Sequence, residues 1–358
     1  MQNDSSERIT AVSNPNQQRW GLILLLLALL GIFLLSLFVG SVRIPLGDIL
    51  QILLGGTVER ETWTTIVLKV RLPKAVTAVL AGSALSVSGL QMQTMFRNPL
   101  AGPFVLGINS GASLGVALVV LAVGTGSTLL AGLGLLSDFG IVIAASLGAG
   151  LVLFLVLAVA RRVETMTLLI LGLMFGYATS ALVSVLLYFS IAERIQAYIA
   201  WTFGSFGGVT WRQMQVMAPA VLLGLAIAWL SAKPLNALLL GETYAQSLGL
   251  SVRQARFSVL ISASLMAGAI TAFCGPIGFV GVAVPHLCRS LFGTSNHRLL
   301  VPATILLGGI VALVADLLAQ LPGSQITLPL NAVTALIGAP VVTWVILRQR
   351  NLRSSFAG

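Results

Sequence analysis

The stretch GLILLLLALLGIFLLSLFV, residues 21–39, contains no charged side chain and decides the class of fold. A helix of about 20 apolar residues covers the roughly 30 Å hydrocarbon core of a bilayer. The run exceeds the roughly 7–15 residues of a secretory signal core and follows a long polar lead-in, so it reads as a retained first helix. Nine further apolar segments follow, at about Leu72–Met95, Leu106–Val123, Phe139–Ala160, Thr165–Phe189, Met214–Leu230, Ala255–Phe273, Val280–Leu291, Leu300–Leu321 and Pro329–Leu347. Composition agrees: the 358 residues are 57% hydrophobic and 8% charged, where a soluble domain carries about 25% charged residues. A soluble enzyme, a disordered chain and a disulfide scaffold are excluded. The expectation is an all-α integral membrane protein of about ten transmembrane helices. One domain spans 20–349, with a disordered polar tail at 1–19 and a basic tail at 350–358.

The breaks between segments are as informative as the segments. Pro99 stops the second helix after Arg97-Asn98, because the residue before proline avoids the helical region. Residues 41–64 read as a connection with a short helix over Leu46–Leu54, and 190–211 as an interfacial stretch with Trp201 and Trp211. A Gly/Ser stretch, Gly124–Gly134, leads out of the third segment. Between the sixth and seventh spans, residues 235–250 are too short and too polar to cross. They read as one or two short helices separated and ended by glycine, at Gly241 and Gly249.

Ten spans put both termini on one side. That side collects thirteen of the 20 cations, from Arg8 and Arg19 to Arg348, Arg350 and Arg353, and by the positive-inside rule it is the cytoplasm. The other side holds Arg43, Arg60, Lys69, Arg71, Lys74, Arg194 and Arg212. The net charge of +10 therefore reports membrane topology rather than nucleic acid, since no basic run is interleaved with aromatics. Cys274 and Cys288 lack CxxC spacing and read as packing residues.

No catalytic set is visible. The chain has no GxxxxGK[ST] loop, and its two histidines, His286 and His297, sit in unrelated contexts, so neither a catalytic residue nor a metal site is expected. Asp316 is the acid near the middle of the later spans; a lone intramembrane carboxylate is expected to be buried between helices and paired. Gly172-x-x-x-Gly176 gives the fifth span a small-residue face, which with Ser180 and Ser184 either packs or lines a path.

A series of motifs carries a resemblance. In order they are RLPK (71–74), SGLQ (88–91), RNPLAGP (97–103), LGINSGA (106–112), WTFGSFGGVTWRQ (201–213), LNALLLGETYAQSLG (235–249), GPIGFVGVAVPH (275–286), NHR (296–298), Ala315-Asp316 and TALIGAP (334–340). Each is weak alone. Together and in this order, over about residues 20–349, the chain resembles the membrane permease subunit of bacterial type II ABC importers, which take up iron–siderophore complexes, haem and cobalamin.

The resemblance implies a multi-pass protein of the bacterial inner membrane. Its partners would be a second permease (a second copy or a paralogue), two ABC ATPase subunits and a periplasmic or lipid-anchored binding protein, with membrane lipid around them and no nucleic acid. No cofactor belongs to this subunit, ATP and magnesium being bound by the ATPase. It implies a coupling element at Leu238, Leu239, Leu240, Gly241, Glu242, Ala245, Leu248 and Gly249, with Glu242 facing a basic residue of the ATPase. Arg71 and Lys74 would dock acidic residues of the binding protein, together with Gln320, which stands where relatives can carry arginine. Thr327-Leu328-Pro329 replaces a Glu-Leu-Pro, and Asn331 a common glycine, so this docking surface has fewer charges or borrows them from a different partner. A cytoplasmic gate would use Asn98, Leu100, Thr165 and Met166, and the path Gly172, Gly176, Ser180 and Ser184. The expected cargo is an iron–siderophore complex, with haem or cobalamin as the alternative. An ion-coupled secondary transporter would need several intramembrane acids, and an intramembrane enzyme a nucleophile with its base; the spans offer only Asp316 toward the first.

Overall fold

The structure is a computed structural model that describes residues 15–40, 42–122, 138–160, 162–320 and 327–354. It is helical, with no strand among the described residues. The first helix, α1 (Pro15–Phe38), leads to the short α2 (Leu46–Leu53) and then to α3 (Glu61–Ile66). A π turn at Val67–Arg71 joins α3 to α4 (Leu72–Met95), making one apolar helix over Glu61–Met95. A 3-10 turn at Pro103–Leu106 and a left-handed Gly107 start α5 (Ile108–Ala117). Then come α6 (Asp138–Ala160), α7 (Thr165–Tyr188), α8 (Ala192–Thr202) and α9 (Trp211–Leu230). The short α10 (Ala232–Leu239) and α11 (Glu242–Ser247) precede α12 (Val252–Cys274), α13 (Val280–Phe292), α14 (His297–Ala319) and α15 (Leu330–Ser354).

Seven of these helices are long and apolar enough to cross a membrane, and Ile108–Leu121, Val280–Phe292 and Leu330–Trp344 form shorter apolar helices. Every apolar segment read from the sequence is a helix. The differences lie at the ends. Helix α1 starts at Pro15, inside the stretch read as a tail, because proline is accommodated in a first helical turn. Helix α15 runs past 349 to Ser354, since Arg, Gln and Leu are good helix formers. The Gly124–Gly134 stretch lies outside the described residues.

Helix α4 is the hub. Small residues (Ala75, Ala78, Ala81, Gly82, Ser83, Ala84, Ser86, Ser88, Gly89) are buried along it. In lipid the apolar effect between helices vanishes, so close backbone packing and interhelical hydrogen bonds hold them. At two places the approach is backbone to backbone. A Cβ on Gly89 would lie 1.6 Å from Gly281 O of α13, and one on Gly82 would lie 2.0 Å from Gly308 O of α14. Ser83 Oγ donates to Ile305 O (2.8 Å), Ser88 Oγ to Ala263 O (3.2 Å) and Gln93 Nε2 to Val282 O (3.1 Å). A larger apolar core joins α1, α4, α9, α13 and α14; a second joins α5, α6, α12 and the end of α4. By contrast α7 leaves Met174, Tyr177, Val185 and Tyr188 bare, an apolar surface suited to lipid or to a second subunit.

Loops assigned to one side by helix counting are the loops that meet. At one end Arg97, Val163, Asn236, Glu242, Arg256 and Asn296 are neighbours. At the other, Trp211 Nε1 donates to Leu68 O (2.8 Å), Ser205 N to Cys274 O (2.9 Å) and Asn331 N to Phe203 O (3.0 Å). Asn331, the departure from glycine, accepts from Gly278 N at 3.0 Å and so ties α15 to the turn before α13.

Candidate functional site

The segment between α9 and α12 folds as two short helices broken at Gly241, whose φ of 105° excludes most side chains, and ended at Gly249, φ 82°. Leu238 and Ala245 turn inward onto Val252 and Ala255. Leu240, Tyr244 and Leu248 turn outward and are 61%, 53% and 61% exposed. The exposed apolar face is therefore Leu240, Tyr244 and Leu248 rather than the run Leu238–Leu240, with Leu239 half-buried. Tyr244, not among the residues expected of the coupling element, shares this exposed face.

Glu242 does not face outward alone. Both its carboxylate oxygens accept from Arg256 Nη2 at 2.6 Å, and Arg256 Nη1 reaches Val163 O at 3.4 Å. The pair pins α11 to the second turn of α12. A second anchor holds α10. Asn236 Oδ1 accepts from the His297 backbone N–H and faces His297 Nδ1, each at 2.8 Å, while Asn236 Nδ2 donates to Asn296 Oδ1 at 2.9 Å. A carbonyl oxygen only accepts, so His297 carries its proton on Nδ1. His297 Nε2 meets Thr94 Oγ1 at 2.8 Å. Helix α10 is thus tied through a fully buried histidine to the end of α4.

At the opposite end of α4 the three expected docking residues line one cavity of about 240 Å3, with Asp316, Ser36 and Gly40. Asp316 is buried and paired as its isolation in the sequence demanded: Lys74 Nζ lies 3.0 Å from Oδ1, and Gln320 Nε2 donates to Oδ2 at 2.8 Å. Arg71 is 8% exposed and turned inward. Its guanidinium donates to Leu37 O (2.6 Å) and Phe38 O (3.1 Å), capping carbonyls that α1 leaves open at its C-terminus, and to Val42 O in the connection that follows. Docking through Arg71 therefore requires release of that cap, and docking through Lys74 competition with Asp316.

Helices α4 and α14 run antiparallel and are joined at both ends, by Lys74–Asp316 at one and Thr94–His297 at the other, with Gly82 against Gly308 between them. This double clamp links the cavity beside Asp316 to the short helices between α9 and α12 through one helix pair.

The expected gate and path residues are less closely grouped. Asn98 Oδ1 accepts from Leu100 N at 2.9 Å, Leu100 and Met166 are exposed, and Thr165 opens α7 with its side chain outside the described residues. His286 Nε2–H donates to Pro99 O at 2.7 Å, fixing this loop to α13, a role the sequence did not signal. Gly172 is a packing glycine: a Cβ there would lie 2.2 Å from Val105 O. Gly176 is half-buried, and Ser180 and Ser184 are exposed. Ser180 lines a cavity of about 200 Å3 with Asn109, Ser110, Ser113, Thr179 and Tyr198. Burial raises the Tyr198 phenol above its usual pKa, opposed by its hydrogen bond with Ser113, so it stays protonated at neutral pH.

Comparison with known proteins identifies this helical frame as a membrane permease subunit of a type II ABC importer. The chain belongs to the FecCD transport family, which matches residues 25–348. It is 38% identical to the vitamin B12 import system permease protein BtuC of Klebsiella pneumoniae over 350 residues, 97% of this chain and 99% of that one. The corresponding permease of Salmonella typhi is 38% identical over 333 residues, covering 92% and 95%. A solved structure described as an inward-facing conformation of a metal-chelate type ABC transporter superposes with TM-score 0.78 at 29% identity, covering 92% of this chain and 99% of that one. The protein is a multi-pass protein of the bacterial inner membrane. As an importer permease it works with a partner permease, ATPase subunits and a binding protein, and has no ATPase domain of its own.

Proposed function

We propose that this chain is the permease of a cobalamin importer, moving vitamin B12 from the periplasm to the cytoplasm by alternating access. Identity of 38% over nearly the full length to a vitamin B12 permease carries this reading. The iron–siderophore cargo expected from the motifs yields to it, because those motifs belong to the whole family and do not discriminate cargo. The metal-chelate description of the similar structure fits either cargo, since cobalamin is itself a cobalt chelate. In this reading all ten apolar helices cross or enter the bilayer with both termini cytoplasmic, a topology that the cation distribution supports.

In this reading Leu240, Tyr244 and Leu248 seat in a cleft of the ATPase, which binds ATP and magnesium. Lys74 and Gln320 meet carboxylates of the binding protein. Leu100, Met166 and their symmetry mates close the inner exit, and Ser180 and Ser184 face the path. The test is uptake in the native host with the gene deleted and restored. Labelled cyanocobalamin uptake falls to background on deletion while ferric hydroxamate uptake is unchanged; the reverse pattern assigns the ferric chelate.

Coupling gives a separate prediction. Glu242→Arg sets two guanidiniums against each other and frees α11 from α12. The amount of ATPase copurifying with the permease is expected to fall about tenfold, equivalent to about 1.4 kcal/mol. The exchanged pair Glu242→Arg/Arg256→Glu is expected to restore most of it. Full ATPase retention by the single variant would remove the pair from the coupling mechanism.

A further inference from the structure

A cavity of about 700 Å3 opens between the end of α6 and the first turns of α12, where Ala160, Phe257 and Leu260 meet the polar Ser251, Arg253, Gln254, Arg256 and Ser258. The docking, gate and path assignments do not use it, and it shares only Arg256 with the proposed coupling element. Its wall has two chemistries. Ala160, Phe257 and Leu260 are apolar. Arg253 and Ser251 are exposed and polar, and Arg253 forms no ion pair among the described residues.

Arg256 adds a more specific feature. A guanidinium has five N–H donors. Its Nη2 is taken by Glu242 and its Nη1 faces Val163 O, but its Nε–H is buried and has no partner among the described residues. A buried donor without an acceptor is costly, by about 1–3 kcal/mol, and native proteins leave few of them. Glu242 balances one of the two positive charges, so the cavity retains the charge of Arg253.

We propose that this cavity binds an anionic phospholipid, the phosphate resting on Arg253 and the Nε–H of Arg256 and an acyl chain lying along Ala160 and Phe257. The apolar wall favours a lipid over a soluble anion, and a basic pocket between the ends of spanning helices is a recurrent setting for anionic headgroups. The inference rests on the membrane orientation proposed above and is independent of the cargo.

The test is native mass spectrometry of the detergent-purified permease–ATPase complex, delipidated and then titrated with phosphatidylglycerol, phosphatidylethanolamine or inorganic phosphate. The complex is expected to retain phosphatidylglycerol in preference to phosphatidylethanolamine, and Arg253→Glu to lower that retention about tenfold. Ser258→Trp, at another position on the cavity wall, is expected to exclude the lipid without changing charge. Equal retention of both lipids, or retention that neither variant alters, overturns the proposal. Displacement of phosphatidylglycerol by millimolar inorganic phosphate overturns the lipid assignment in favour of a soluble anion. Intact assembly mass confirms that each variant is folded, and cyanocobalamin uptake, measured separately, tests the cargo.

Discussion

Gly89→Leu is expected to leave no folded permease. The Cβ would lie 1.6 Å from Gly281 O and 2.4 Å from its carbonyl carbon, so the clash is with backbone and no rotamer relieves it. Helix α13 would have to move off α4 and would lose the Gln93–Val282 hydrogen bond beside the crossing. The cost exceeds about 4 kcal/mol, in the range that abolishes folding of marginally stable proteins. Cys274 and Cys288 are both buried and free, and they are the only cysteines in the chain, so a thiol-reactive dye reports unfolding without further labelling. Gly89→Leu should react at once at 25 °C. Gly31→Leu, at a glycine whose added Cβ would meet nothing within 4 Å, should behave as the parent. Slow labelling of Gly89→Leu would show that the crossing has room to open.

The second large effect is at the cavity lined by Lys74 and Asp316. Lys74→Met removes the cation beside Asp316, whose side chain is 9% exposed, and leaves a carboxylate supported by Gln320 alone. Removing one partner of a buried pair costs about 3–5 kcal/mol, because the other charge stays desolvated. About 3 kcal/mol is expected here, since the Lys74 side chain is 22% exposed and its partner retains some solvent. Lys74→Met/Asp316→Leu should recover most of the loss, because an apolar pair needs no compensation. Asp316→Asn should cost less than Lys74→Met, as the lysine can extend its charge toward water. The same dye-labelling midpoints order the three variants. A double variant no more stable than Lys74→Met would mean that the pair is not the main tie between α4 and α14 at this end.

The positions of the helices were readable because membrane thickness and backbone hydrogen bonding leave the chain few options. The end of α4 at Met95 was bounded correctly, and Gly241 and Gly249 marked the short helices between α9 and α12. The extension of α4 back to Glu61 was not readable, because Glu61, Lys69 and Arg71 resemble a polar loop until their partners are known. Helix α8 was hidden in the same way within a mixed segment.

At the sites, residue type was legible and partnership was not. Asp316 declared itself as a buried, paired carboxylate, but nothing local names Lys74, 242 positions away in sequence, as its partner. Arg71 and Glu242 looked like outward-facing charges because a single sequence does not encode who reaches them. One closes the carbonyl end of α1, and the other holds α11 against α12.

The burial of α4 also has a consequence for biosynthesis. Chains are made from the N-terminus, so α4 enters the bilayer long before the helices that enclose it. Ser83 waits for Ile305, 222 residues later, and Gln93 for Val282, 189 residues later. Until α13 and α14 are inserted, the serines and glutamines of α4 stand in lipid without their acceptors, and Gly82 and Gly89 have no backbone to meet. The fold closes only when the last third of the chain is in place. A ribosome stalled before α14 is therefore expected to leave an open sheaf rather than a smaller permease.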